Sequence, residues 1–162
     1  IVRPHPQSFT SEKNTLESLR KKFNGTQLIT WDFNRDNLES LSLADIMISD
    51  FSGVIFDYLF LFDRPVLYLN TEFDARPYDS WDLEEQPWIF NVLPEIGIEL
   101  KEAQFDNLKQ LLLETSNDTS LKVQRQLAKE VAWQYIGESG KRVCDFLLEK
   151  RRLLKQDPVE KI

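Results

Sequence analysis

Ala44-Asp-Ile-Met-Ile-Ser-Asp-Phe-Ser-Gly-Val-Ile-Phe-Asp-Tyr-Leu-Phe-Leu-Phe-Asp-Arg-Pro-Val-Leu-Tyr-Leu-Asn70 reads as strand, tight turn, helix, strand. Ile46, Met47 and Ile48 form a short apolar run, the pattern of a strand buried on both faces of a parallel sheet. Ser49 to Gly53 breaks that run with turn and cap residues. Ser52 is the expected N-cap, because its hydroxyl can accept from the open amides of the next turn. Val54, Ile55, Tyr58, Leu59 and Phe62 follow at helical spacing. Pro65 prevents the helix from continuing, and Val66 to Leu69 reads as a second buried strand. A helix leaving the carboxyl end of a parallel strand aims its positive end at the crevice where α/β sheets bind ligands. Ser52 and Gly53 at that end form the expected phosphate seat, Gly53 because it lets the backbone come close. An ordinary helix cap is the other reading of this pair.

Outward from this unit, strands and helices alternate. Ile1 to Gln7 reads as a short strand entering a loop, since Pro4 and Pro6 forbid a helix. A helix opens near Ser11, carries Leu16, Leu19 and Phe23, and ends at Asn24-Gly25 with a left-handed cap. Gln27 to Phe33 reads as a strand, and Leu38, Leu41 and Leu43 mark a short helix. The order β-α-β-α-β-α-β predicts an α/β fold with a Rossmann-like, doubly wound parallel sheet and a crevice at the strands' carboxyl ends. Asn70 to Pro94 then reads as a long acidic and aromatic loop, of a length that is often functional. It leaves the ligand edge of the sheet. Tyr78, Trp81 and Trp88 in it either stack on a base, close against another domain, or cover a satellite cluster. Ile96 to Leu100 reads as one more strand. The remainder is helical. Phe105, Leu108, Leu111 and Leu112 form one stripe, Leu121, Leu127, Val131 and Tyr135 another, and Val143, Phe146, Leu147 and Leu153 mark a final helix. Lys155 to Ile162 reads as a frayed tail.

The 162 residues suffice for one domain with a full core, so 1–162 reads as a single domain. The start at Ile1, inside an expected strand and without a methionine, reads as a cut from a longer protein. A net charge of −7 gives nucleic-acid binding no electrostatic support. The one cysteine, Cys144, excludes an intramolecular disulfide and fits a reducing, cytoplasmic compartment. Its expected role is a small core hydrophobe. With one histidine there is no His-based zinc site, and neither a metal nor a cofactor is expected. No apolar run is long enough for a bilayer, and nothing resembles a signal peptide.

Ser49-Asp50-Phe51-Ser52-Gly53-Val54-Ile55-Phe56-Asp57-Tyr58, followed by Arg64-Pro65, resembles the signature of the CDP-glycerol glycerophosphotransferases. These are the teichoic-acid primases and polymerases of bacterial envelopes. Their usual pattern is Ser/Thr-Asp-Tyr-Ser-Ser-x-x-x-Asp, then Arg/Lys-Pro before a strand. Phe51 and Gly53 depart from it, so one potential hydroxyl contact to phosphate is missing. The resemblance implies the C-terminal half of a two-domain GT-B fold, with the donor nucleotide on this half. It implies that an acceptor hydroxyl attacks the β-phosphorus of CDP-glycerol or a related CDP-polyol, and that CMP leaves. A polymer or lipid-linked acceptor would come through a missing N-terminal domain, at the inner face of the plasma membrane. The family's proposed catalytic base lies in a Trp-His-Gly motif of that domain, and no such motif occurs here. The chain alone is therefore expected to bind nucleotide without turnover.

The resemblance also assigns residues. Arg3-x-His5 matches an Arg-x-His of the family, which makes His5 catalytic at the donor's pyrophosphate and Arg3 a substrate contact. Taken alone, a loop histidine is a surface or capping residue. Asp50 either orients the turn through backbone amides or holds a histidine or acceptor hydroxyl in place. An acid at Asp57 is regular in the family, and acids near it bind ribose hydroxyls in many GT-B enzymes. A solvated helix acid is the alternative. Ser139 and Arg142 loosely match a Gly-x-x-Ser-x-Arg segment, with helix capping as the plain reading. Arg64 reads as a helix C-terminal cation. Lys150-Arg151-Arg152 with Lys155 is either a solvated helix end or a contact for anionic lipid. Two other functions fit parts of the pattern. One is a sugar-nucleotide GT-B glycosyltransferase or UDP-GlcNAc 2-epimerase relative. The other is a non-catalytic docking module that uses the acidic aromatic loop.

Overall fold

Three parallel strands carry the fold in the computed structural model, which describes residues 1–69, 84–85 and 87–156. They are β1 (Met47–Ser49), β2 (Val66–Tyr68) and β3 (Ile98–Glu99), in the order β1-β2-β3. Met47 faces Val66 in the first ladder, and Leu67 faces Ile98 in the second. The helices are α1 (Ser8–Ser11), α2 (Lys13–Lys22), α3 (Leu38–Leu43), α4 (Val54–Phe62), α5 (Trp88–Ile96), α6 (Leu108–Ser116), α7 (Lys122–Ala132) and α8 (Ser139–Gln156). A 3-10 turn, Glu102–Asn107, leads into α6. The expected α/β class and parallel sheet are present.

β2 is buried along its whole length, as its continuous apolar sequence requires. Ile55, Tyr58 and Leu59 of α4 join Val66, Leu93 and Ile96 in the core. Each side chain of this size contributes about 1.5–3 kcal/mol on burial. α4 stops at Asp63, which takes a left-handed φ of 49° and returns its amide to the Leu59 carbonyl at 3.0 Å. Gly97 lets the turn into β3 lie on β2, since a Cβ there would stand 3.2 Å from Tyr68 Cδ1. α7 grips the far end of α4. Arg125 Nε donates to Asp63 Oδ1 at 2.8 Å, and Lys129 Nζ donates to the Phe60 carbonyl at 2.6 Å.

Tyr58 ties α4 to the segment that enters β1. Its hydroxyl donates to the Ala44 carbonyl at 2.9 Å, and burial pushes the phenol up to about 12. Tyr58→Phe is expected to cost about 1 kcal/mol, measured by urea unfolding. The folded phenol titrates above its unfolded value of about 10, so its contribution is complete below that pH. Stability should then fall as pH rises from about 10 toward 12. The Tyr58→Phe protein should lack that part of the alkaline loss.

Several expectations are corrected. The strands expected at Ile1 to Gln7 and Gln27 to Phe33 reduce to one parallel bridge, Val2 with Trp31. Leu28 is 93 % exposed, so no neighbouring element rewards extending that ladder. The loop expected up to Pro94 ends earlier, because α5 begins at Trp88 and contains Pro94. The Leu127, Val131 and Tyr135 stripe faces solvent, and the buried face of α7 holds Arg125 and Ala128. Cys144 is exposed, because among the described residues no element covers its side of α8. Arg64 holds its guanidinium 5.7 Å over the Phe62 ring at the end of α4 and also reaches the segment before β1. Its Nη1 donates to the carbonyls of Ser42, at 2.8 Å, and Ala44. Tyr78, Trp81 and the tail from residue 157 lie outside the described residues.

Candidate functional site

β1 ends at Ser49 and the chain turns at once. Asp50 Oδ1 accepts the Ser52 amide at 2.8 Å, closing an Asx turn. Ser49 Oγ donates to the same carboxylate oxygen at 3.5 Å. The amides of Ile55 and Phe56 go to the carbonyls of Ser52 and Gly53, at 3.1 and 3.0 Å. Gly53 already has helical angles, φ −57° and ψ −21°. The expected Ser52 cap is therefore corrected. No side chain caps α4, and the carboxylate of Asp50 shapes the turn before it. Among the described residues, the amides of Gly53 and Val54 meet no acceptor. A Cβ built on Gly53 would meet nothing within 4 Å, so the approach to these amides is open.

Asp57 is exposed on α4, one turn beyond Gly53. Two aromatic contacts flank the helix start. Phe51 meets Phe90 with ring centroids 5.6 Å apart, and Phe56 meets Trp88 at 5.4 Å. Trp88 keeps 40 % of its surface exposed, so an aromatic edge borders the turn. Trp88 stands out in the sequence as a loop aromatic, but its place with Phe90 on a helix was missed because the segment read as a loop. Ile89, Val92, Leu93 and Ile96 carried the helical spacing that could have found it.

The other expected residues lie in separate clusters. Arg3 is engaged by the first loop. It pairs with Asp32 and donates from Nη2 to the Asn34 and Arg35 carbonyls, at 2.6 and 3.2 Å. Asp32 is a buried hub that the sequence reading did not single out. The Ser40 hydroxyl, the Asn34 amide and Arg3 hold its carboxyl below the usual range. His5 is exposed, and its Nδ1 accepts the Gln7 amide at 3.3 Å. Ser139 Oγ donates to the Tyr135 carbonyl at 3.2 Å. Arg142 donates to Glu138 at 3.2 Å and stacks 3.9 Å over the Tyr135 ring. Among the described residues, no hydrogen bond or ion pair joins Arg3, His5, Ser139 or Arg142 to the turn Asp50–Gly53.

Two open amides thus stand at the positive end of a helix, at the carboxyl edge of the parallel sheet of an α/β protein. This chain belongs to the CDP-glycerol:poly(glycerophosphate) glycerophosphotransferase family, whose model matches residues 1–149. It is a family of transferases, and its donor is CDP-glycerol. The resemblance carried by Ser49 to Tyr58 and Arg64-Pro65 thus leads to the right family. No curated protein and no solved structure matches the chain.

Proposed function

We propose that this chain is the donor-binding domain of a longer glycerophosphotransferase, the C-terminal half of a GT-B pair, and seats the diphosphate of CDP-glycerol or a related CDP-polyol at the start of α4. The open amides of Gly53 and Val54 carry this reading. An acceptor hydroxyl oxygen attacks the β-phosphorus, and the bond from that phosphorus to the CMP oxygen breaks. The acceptor proton passes to a base outside this chain, and CMP departs with the negative charge. The amides and the positive end of α4 offset the charge that grows on the phosphates. Asp50 keeps the turn in register. Asp57 takes the ribose hydroxyls, His5 donates to the leaving phosphate, and Arg3, Ser52, Ser139 and Arg142 complete the contacts. The acceptor is a polymer or lipid-linked chain of the cell envelope, met at the cytoplasmic face of the membrane. The domain alone binds the donor without turnover.

Gly53→Ala tests the seat. The protein offers a methyl there free space, and its backbone angles suit alanine. Stability should hold or rise by about 0.4–1 kcal/mol. The methyl stands where the diphosphate would approach, so affinity for CDP-glycerol should fall about tenfold, equivalent to about 1.4 kcal/mol. Calorimetric titration with CDP-glycerol, and with UDP-GlcNAc as control, reads the change. An unaltered CDP-glycerol affinity removes the seat from α4.

A further inference from the structure

α8 has 18 residues, and every described side chain on it is exposed. At 1.5 Å per residue it spans about 27 Å. Val143, Phe146, Leu147, Leu153 and Leu154 form one apolar face at helical spacing, each 49–76 % exposed. Lys141, Arg142, Lys150, Arg151 and Arg152 stand against only Asp145 and Glu149. The helix is thus basic in a chain whose net charge is −7. Among the described residues its cations make no ion pair with another helix or strand. Arg142 pairs with Glu138 just before the helix, and Lys150 lies 5.4 Å over the ring of Phe146. The family match ends at residue 149, so Lys150 to Leu154 fall outside it.

An apolar face rimmed by cations matches a surface with hydrocarbon below and negative charge above. A second copy of α8 matches it poorly. Lys150 interrupts the apolar face at its middle, and two such helices would bring like charges together. We propose that α8 lies in the surface of an anionic lipid bilayer, its apolar face at the headgroup boundary and Lys150, Arg151 and Arg152 on lipid phosphates. Lys150 then snorkels from the apolar face toward the headgroups. No helix among the described residues is long and apolar enough to cross a membrane, and this one lies along the surface. The inference deepens the membrane contact proposed above. Its test reads lipid binding separately from CDP-glycerol binding, so its failure and that of the donor seat are distinguishable.

The chain is mixed with vesicles of phosphatidylcholine, or of phosphatidylcholine with phosphatidylglycerol, and sedimented. It should follow the phosphatidylglycerol vesicles, remain in solution with phosphatidylcholine alone, and be released by salt. Lys150→Gln, Arg151→Gln and Arg152→Gln together should lower the partition constant about a hundredfold, from about 1 kcal/mol per basic residue. Phe146→Ser with Leu147→Ser should lose vesicle binding and keep CDP-glycerol binding. Equal sedimentation with both vesicles, or full binding by the triple variant, overturns the proposal. So does a chain that ignores lipid but sediments as a dimer that Phe146→Ser with Leu147→Ser dissociates, since the face then belongs to a second copy.

Discussion

His5→Ala in the complete transferase should slow turnover about 10²–10³-fold and leave the melting temperature unchanged. The imidazole is exposed, and its one described contact is the Gln7 amide on Nδ1, at 3.3 Å. Removing it costs the fold little. An Nδ1 that accepts a hydrogen bond leaves the neutral ring's own proton on Nε2. That Nε2–H points to the role proposed for His5, a donor to the oxygen that carries charge as CMP leaves. Losing one such donor in a site that excludes water is worth two to three decades of rate. Steady-state turnover of CDP-glycerol beside a thermal melt makes the measurement. Wild-type turnover at normal stability would exclude His5 from the chemistry.

Arg125→Ala should destabilise the domain by about 3 kcal/mol, read as a lower urea midpoint. Arg125 is 4 % exposed, and its guanidinium serves both the carboxylate and the carbonyl of Asp63. Asp63 ends α4 in a left-handed conformation. Without Arg125, its remaining partner is Lys122 at 3.6 Å. The Asp63 side chain is 44 % exposed, and water takes part of the lost interaction, which sets the cost at the low end for a buried pair. Arg125→Lys should recover only a fraction, because an ammonium cannot repeat the planar fork. A loss below about 0.5 kcal/mol for Arg125→Ala would show that α4 needs no such clamp.

β1, α4 and β2 were legible because short-range signals agree there: an apolar run, a polar break, helical spacing, then Pro65. The family was legible in the same residues. Other parts were hidden for different reasons. Ser52 and Asp50 are both capping residues, and local sequence does not say which side chain reaches an amide. Pro94 read as the edge of a loop, yet α5 keeps it, with Val92, Leu93 and Ile96 buried around it. A proline costs one amide donor, and the apolar spacing outweighed that loss. In α7 the periodicity announced a helix but pointed the wrong face inward. Arg125 is buried because Asp63 waits for it 62 residues away, and no local pattern encodes such a partner. The strand expected at Gln27 to Phe33 shrank to one bridge because strands need neighbours, and Leu28 is 93 % exposed. The partner that engages the Arg3 guanidinium, Asp32, lies across the first loop, where no local pattern announces it.

The clamp on α4 changes the reach of its field. Lys122, Arg125 and Lys129 bring three cations to the carbonyl end, against the single carboxylate of Asp63. The negative pole of the helix is thereby masked, while the amides of Gly53 and Val54 stay bare. The carboxylates of Asp50 and Asp57 stand at that same edge, so the positive pole is itself screened and its bare amides act at hydrogen-bond range. On the reading proposed above, a diphosphate is held there by contact with the amides of Gly53 and Val54 rather than gathered from a distance.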